Sequence, residues 1–337
     1  MMDCRSRRIE LCAPAKLNLG LEILGKRPDG FHDIATIFLT VDLCDRLVLS
    51  RGVERQAEVS EVGPYSFEPG RHRVEGIQYP GDAEAELITL TCSDPSLSTA
   101  ENLALRALQA LHRESGRPLH PVHLHLDKRI PTAAGLGGAS SDAAAALLAG
   151  NAYWNLDLSP SRLATLAASL GSDVPFLVGG GCALGHGRGD RLETLPVPQW
   201  LCVVLVMPRL TIPRKTARLY ASLIPSDFSD GRRITVQADR LRAGNLPDLD
   251  LLGNAFARPL VSLVPDLAGL PDILRAAGAP RVGLSGAGPT FYIPLTDPAE
   301  AADLSKKIRG RIGDRCAVAI VKPVPPREIS APGISPE

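Results

Sequence analysis

Residues Pro131 to Leu147 read PTAAGLGGASSDAAAAL, a glycine-rich loop that runs into a serine pair and then into an alanine-rich helix. Few stretches restrict a fold as tightly. Gly135, Gly137 and Gly138 carry no Cβ, so the backbone can turn sharply and bring its N–H groups against a bulky anion. Ser140 or Ser141 is a natural N-cap, and the alanines behind them have the highest helix propensity. The free N–H groups of the first turn and the positive dipole end then face the loop, which makes a cradle for a polyphosphate. No lysine follows the glycines, which excludes the Walker pattern, and position 140 is serine, which excludes the dinucleotide fingerprint GxGxxG.

A chain of 337 residues exceeds one core and points to two domains with a cleft between them. Lys+Arg and Asp+Glu both total 37, so no bulk charge draws the protein to nucleic acid or to an anionic membrane. A small-molecule partner is expected, with the protein a monomer or a homodimer. Only seven of the basic residues are lysines, at 16, 26, 128, 215, 306, 307 and 322. The excess of arginine fits a bias of genome composition, yet a lysine kept in such a background is of mild interest, because arginine cannot replace a compact ammonium. The seven cysteines are odd in number, scattered and without a CxxC pair, which reads as reduced thiols in a cytoplasmic protein. The longest strongly apolar run, Trp200 to Met207, is too short to span a bilayer.

Residues 9 to 24 and 34 to 50 read as strands joined at Pro28, Asp29 and Gly30. The polar stretch near 51 to 84 reads as an irregular surface excursion. ENLALRALQALHR, from Glu101, is an amphipathic helix with Thr99 or Ser98 as its cap. His123 and His125 share one strand face, but no third ligand stands at a useful spacing, so a solvated face is favoured over a metal site. Pro196 and Pro198 mark a boundary, giving domains 1–196 and 197–322, with a disordered Pro- and Ser-rich tail at 323–337. Strands and helices mix without regular βαβ repetition, which argues an α+β fold.

Phosphoryl transfer needs more than a cradle: positive charge at the transferring group, and a residue that orients or deprotonates the acceptor hydroxyl. Asp173, in GSDVPF, is the candidate for the second role. Lys16, between apolar neighbours in APAKLNLGL, must snorkel or find a carboxylate, and a Lys16–Asp173 pair is the economical solution. GLSGAG is not a nucleophile elbow, because alanine stands where GxSxG needs its last glycine.

The loop resembles the phosphate-binding motif of the GHMP kinases. APAKLNLGLEILGKRPDGFHDIATIF, CSDPSL with ENLALRAL, GSDVPFLVGGGCALGHGRGDRLETL and GLSGAGPTFYIPL are similar to the blocks of one branch of that family, over residues 9 to 322. The resemblance implies an α+β, two-domain architecture: an N-terminal ATP-binding domain like the second domain of ribosomal protein S5, and a ferredoxin-like C-terminal domain. It implies ATP and Mg2+ as cofactors, and phosphorylation of the 2-hydroxyl of a cytidylated methylerythritol in the non-mevalonate isoprenoid pathway. Carried over by position, Lys16 and Asp173 are catalytic. Pro131, Ala134, Gly135, Leu136, Gly137, Gly138, Ala139, Ser140 and Ser141 hold ATP phosphates, Ser141 also holds the metal, and Asn102 and Lys128 line the adenosine pocket. Asn18, Phe31, His32 and Tyr220 bind the acceptor, with His32 on the cytosine and the Phe31 and Tyr220 rings on its faces. Phe31 stands where the family usually has tyrosine. GNAFARP at 253–259 keeps Asn254 but loses acidic residues, and the 51–84 segment is longer than usual. Other branches, such as homoserine or mevalonate kinase, would share the loop but lack DGFH. A nucleotide-binding sensor is the alternative from another class, and the intact Lys16 and Asp173 weigh against it.

Overall fold

The computed structural model describes residues 8–51, 87–245 and 247–327. Most of the polar excursion expected near 51 to 84 therefore lies outside the described residues. Two 19-residue strands, β1 (Arg8–Lys26) and β2 (His32–Ser50), form an antiparallel hairpin whose register slips at Pro14/Ala15, between Asn18 and Leu21, and at Ile23/Gly25. Each slip re-aims side chains between the two faces of the sheet. β2 carries the rest of that sheet on its other edge: β4 (Val122–Asp127), with β3 (Ile88–Cys92) parallel to it, along residues 46–50, and β5 (Cys182–His186) with β6 (Arg191–Leu195) along residues 36–39.

Four helices cover this sheet: α1 (Leu103–Ser115), α2 (Gly138–Tyr153), α3 (Pro160–Leu170) and α4 (Val174–Gly179). α1 buries Leu105, Leu108 and Leu111 on one stripe, as its periodicity requires. α2 is central and buried on nearly every side, which only small side chains permit. At Gly150 an added Cβ would meet Leu108 and Leu111 of α1 at 2.7 Å, so the glycine sets how closely the two helices approach.

The second sheet, in the order β10-β7-β9-β8, is antiparallel and made of β7 (Cys202–Pro208), β8 (Gly283–Leu284), β9 (Phe291–Leu295) and β10 (Cys316–Val321). Around it lie α5 (Lys215–Ala221), α6 (Arg232–Arg242), α7 (Ala257–Leu263), α8 (Leu270–Ala276) and α9 (Pro298–Ile312). A shared core joins the halves, with Leu17, Leu19 and Ile37 of the hairpin packed with Val203, Leu205 and Tyr292.

Four expectations are corrected. Asn102, not Thr99 or Ser98, caps α1, because its Oδ1 accepts from the N–H groups of Ala104 and Leu105. Of the tail expected to be disordered at 323–337, residues 328–337 lie outside the described residues, and 323–327 are paired: Val324 N–H donates to Thr40 O, Arg327 N–H donates to Gly179 O, and the segment lies along the first sheet. Backbone pairing holds it in spite of its prolines. Cys12 and Cys44 are not both thiols but a disulfide, with Cα atoms 5.8 Å apart. Cys12 faces Arg46 and Cys44 faces Pro14, so the two are diagonal neighbours across the hairpin. The His123 and His125 face is not solvated: His123 is buried, and both imidazoles hydrogen-bond threonines of β3, Thr89 and Thr91 for His123 and Thr91 for His125.

Candidate active site

Lys16 lies on β1 just past the register slip at Pro14/Ala15, in the run of that strand where every residue is buried. Its side chain is almost fully buried. Nζ donates to Asn18 Oδ1 at 2.6 Å and lies 3.3 Å from Asp173 Oδ2. Asn18 is fixed in turn: its Nδ2 donates to Thr36 Oγ1 at 2.9 Å, and Thr36 donates to Gly20 O at 2.6 Å. Asp173 stands just before α4, yet its carboxylate makes no capping bond to that helix and is 32% exposed. It is a carboxylate held beside a cation and open to the cleft.

The phosphate loop passes over this pair. Gly137, at φ +72°, is the N-cap of α2, and no side chain caps the helix. This corrects the expectation that Ser140 or Ser141 caps it. Both serines sit inside the first turn, and the N–H groups that a capping side chain would have taken stay available for an anion. A Cβ on Gly137 would come within 2.9 Å of Lys16 Cγ, and one on Gly286 within 3.2 Å of Lys16 Nζ and 3.1 Å of Asn18 Oδ1. Glycines on two loops therefore enclose the ammonium.

The loop is anchored from both halves of the molecule. Lys16 N–H donates to Leu136 O, Thr290 N–H donates to Ala134 O, and Ser285 Oγ donates to Gly135 O at 3.0 Å. A Cβ on Gly135, at φ +85°, would strike Ser285 O at 2.5 Å. Asn254, the residue kept in GNAFARP, ties the Ser285 turn in place: its Nδ2 donates to Leu284 O and Gly286 O, and its Oδ1 accepts from Phe256 N–H.

Several expected roles move. Ser141 is fully buried and donates to Pro14 O at 2.7 Å, so its hydroxyl is engaged away from the cleft, and Ser140 is the partly exposed serine of the loop. Asn102 is occupied as the α1 cap, and its Nδ2 donates to Leu97 O. Lys128 is held between Asp45 and Asp142, with Asp142 Oδ2 at 2.5 Å. Asp45, fully buried, also accepts from the N–H groups of Arg129 and Ile130, which fixes the chain entering the loop. Burial pushes the Asp142 carboxyl up to about 7 against the pull of Lys128, and its Oδ1 has no hydrogen-bond partner. Asp45 and Asp142 were missed in the sequence, where nothing distinguishes them from surface acids.

Of the residues expected to bind the acceptor, Asn18 stands beside Lys16, Phe31 and His32 lie at the tip of the hairpin, and Tyr220 belongs to α5. His32 stacks on Tyr220, with ring centroids 4.8 Å apart, and Tyr220 meets Phe256 edge-on at 4.9 Å. Burial first and the charge of Lys26 second hold the His32 imidazole below its usual range. Burial pushes the Tyr220 phenol up to about 12, with Asp173 adding to the shift. Phe31 is 48% exposed and lies under the Arg188 guanidinium, 3.6 Å from the ring centroid. A cavity of about 430 Å³ beside the hairpin tip is bounded by Lys26, Arg27, Asp33, His186 and Arg191.

Residues 102–181 match the GHMP kinases N terminal domain. The 4-diphosphocytidyl-2-C-methyl-D-erythritol kinase of Brevibacillus brevis is 35% identical over 312 residues, 91% of this chain and 94% of that protein. The chain belongs to the 4-diphosphocytidyl-2-C-methyl-D-erythritol kinase family. The relative of the same name from Pelotomaculum thermopropionicum is 36% identical over 89% of this chain and 94% of its own length. A crystal structure of 4-(cytidine 5'-diphospho)-2C-methyl-D-erythritol kinase superposes with a TM-score of 0.68 at 30% identity, covering 93% of this chain and 99% of that one. Homoserine kinase from Cytophaga hutchinsonii shares the fold at 17% identity, with a TM-score of 0.65 and 94% of each chain covered. The architecture is the α+β, two-domain fold of the GHMP kinases, a family of small-molecule kinases.

Magnesium is implied by the resemblance, and the donors here are few. Among the described residues no cluster of three His, Cys, Asp or Glu side chains could hold a metal. Ser140 in the loop and the part-exposed Asp173 beside Lys16 are oxygen donors that could complete the shell of an ion carried chiefly by nucleotide phosphates and water.

Proposed function

We propose that this protein transfers the terminal phosphoryl group of ATP to the 2-hydroxyl of 4-diphosphocytidyl-2-C-methyl-D-erythritol. The observation that carries the reading is the Lys16–Asp173 pair beneath an uncapped helix N-terminus, with 3.3 Å between ammonium and carboxylate. ATP phosphates would rest on the loop from Gly135 to Ser140, and the open face of Asp173 would accept or orient the hydroxyl proton. Lys16 holds the Asp173 carboxylate in place and sets positive charge beside the transferring group. Magnesium, held by phosphates with Ser140 and Asp173 at hand, would neutralise phosphate charge.

His32, Tyr220 and Phe31 would read the cytosine end, which matches an acceptor whose nucleotide lies far from its reacting hydroxyl. Domains divide near Pro196, and the enzyme acts in the cytoplasm, where ATP is abundant. The test is an ATP-consumption assay on cytidylated methylerythritol, methylerythritol phosphate, homoserine and mevalonate. Turnover confined to the cytidylated compound is expected. Preference for homoserine or mevalonate would move the chain to another branch, and ATP binding without turnover of any acceptor would revive the sensor reading.

A further inference from the structure

Lys215, the first residue of α5, is 7% exposed and stands where the two glycine loops meet. Its Nζ donates to Ala133 O at 2.6 Å and also to Gly288 O. Ala133 belongs to the phosphate loop, and Gly288 to the loop against which Gly135 is pressed. No carboxylate among the described residues pairs with this ammonium.

The contrast with Lys128 is direct. Lys128 is buried between two carboxylates, whereas Lys215 has only two neutral carbonyls and the like charge of Lys16 nearby. The remaining charged groups are committed or turned outward. Asp173 is taken by Lys16, Arg258 of α7 pairs with Asp227, and Arg214 and Arg218 beside Lys215 are exposed. Burial first, then Lys16, pull the Lys215 ammonium down to about 8. A buried cation without a counter-charge is costly, and two carbonyls satisfy only two of its three N–H groups.

We propose that Lys215 is a positioning residue for the nucleotide: its ammonium clamps the two glycine loops into one cradle, and polyphosphate bound there supplies the missing negative charge. This rests on the ATP reading above. Nothing in the sequence motifs assigns the residue, although it is one of the sparse lysines.

The test uses the full-length protein with Lys215→Gln, which keeps hydrogen-bond donors without charge, and Lys215→Met as a second variant should Lys215→Gln not fold. Inorganic triphosphate and ATP with magnesium serve as probes. Wild type should gain thermal stability with either, and the variants much less. KM for ATP should rise about tenfold or more with the acceptor KM within twofold, since only the nucleotide loses a partner. Titration calorimetry at pH 8 in two buffers should show wild type taking up as much as about half a proton on binding, because an anion restores the ammonium, and Lys215→Gln none. Equal stabilisation and equal proton uptake in a folded variant would reduce Lys215 to a structural clamp and overturn the inference alone. A wild-type protein indifferent to ATP and to triphosphate would overturn the nucleotide reading and this inference with it.

Discussion

The two ends of the cleft are built differently. At the phosphate loop each strategic atom is fixed from several sides: glycines at positive φ leave no space for a side chain, Lys16 N–H and Thr290 N–H hold the loop carbonyls, and Asp45 holds its entrance. At the hairpin tip, recognition rests on rings. His32 leans on Tyr220, and half-exposed Phe31 lies under Arg188. A group on which bond-making depends must be held within fractions of an ångström, whereas a stacking face tolerates sliding. The donor end should therefore break sharply on substitution and the acceptor end gradually.

The largest effect expected is at Asp173. Asp173→Asn keeps the shape and removes the carboxylate, so kcat should fall by about 10² to 10⁴ with nucleotide binding retained. A loss of only a few-fold in single-turnover assays would leave Asp173 to orient the hydroxyl, and wild-type turnover would remove it from the chemistry. Lys16→Arg should cost about 10² or more, because Asn18, Asp173 and the two glycines leave no room for a guanidinium. Lys26→Arg, on the exposed hairpin end, is its control, and equal activities would erase the contrast.

Gly137→Val comes next. Its Cβ would sit 2.9 Å from Lys16 Cγ at a φ that valine strongly disfavours. Nucleotide affinity should drop by roughly 10², read by fluorescence titration with the fold checked by circular dichroism. Undiminished affinity in the folded variant would place the nucleotide elsewhere.

At the ring end the changes should be smaller and confined to the acceptor. His32→Ala is expected to raise the acceptor KM by about tenfold, the value of one buried hydrogen bond, while the ATP KM stays constant. Burial and Lys26 hold the His32 imidazole below its usual range, so it is neutral at pH 7. A depressed histidine is a neutral one that must charge as the pH falls. Folded-state stability should thus worsen as the pH drops below the unfolded value, near 6.5, and the acceptor KM at the lower pH where the folded imidazole takes up its proton, and the His32→Ala variant should lack both parts of the profile. Smallest is Phe31→Tyr, which restores the family's usual hydroxyl on an exposed ring and should change the acceptor KM by no more than about threefold. A tenfold gain would mean that the hairpin tip is as demanding as the loop.

Much of the donor end could be read from sequence, because glycine spacing and an isolated lysine are local signals. The pairing of Lys16 with Asp173 followed from the problem each residue poses alone. What escaped depends on distant partners. The capping preference of serine says nothing of the Pro14 carbonyl that takes the Ser141 hydroxyl from 127 positions away, and Asn102 looked like a ligand residue until its two backbone donors were seen. Cys12 and Cys44 became neighbours through the pairing of residues 8–14 with 44–50, a register that alternation alone does not reveal. Lys215 did carry a signal. Of the seven lysines, Lys16, Lys128 and Lys215 have buried side chains and the other four are exposed, so the scarcity of lysine pointed to it more clearly than any motif.

The anchoring of the phosphate loop by Ser285 and Thr290, and of the first sheet by residues 323–327, has a consequence for synthesis on the ribosome. Translation emits Lys16 early and these partners late. At roughly 5 to 20 residues per second, about 14 to 54 s separate the lysine from Gly288. Throughout that interval the nascent chain carries two long apolar strands and a glycine loop with half of its supports still unmade. Slowed elongation would lengthen that exposure and favour capture of the strands by other chains, so the last quarter of the protein completes the site and also ends its most aggregation-prone period.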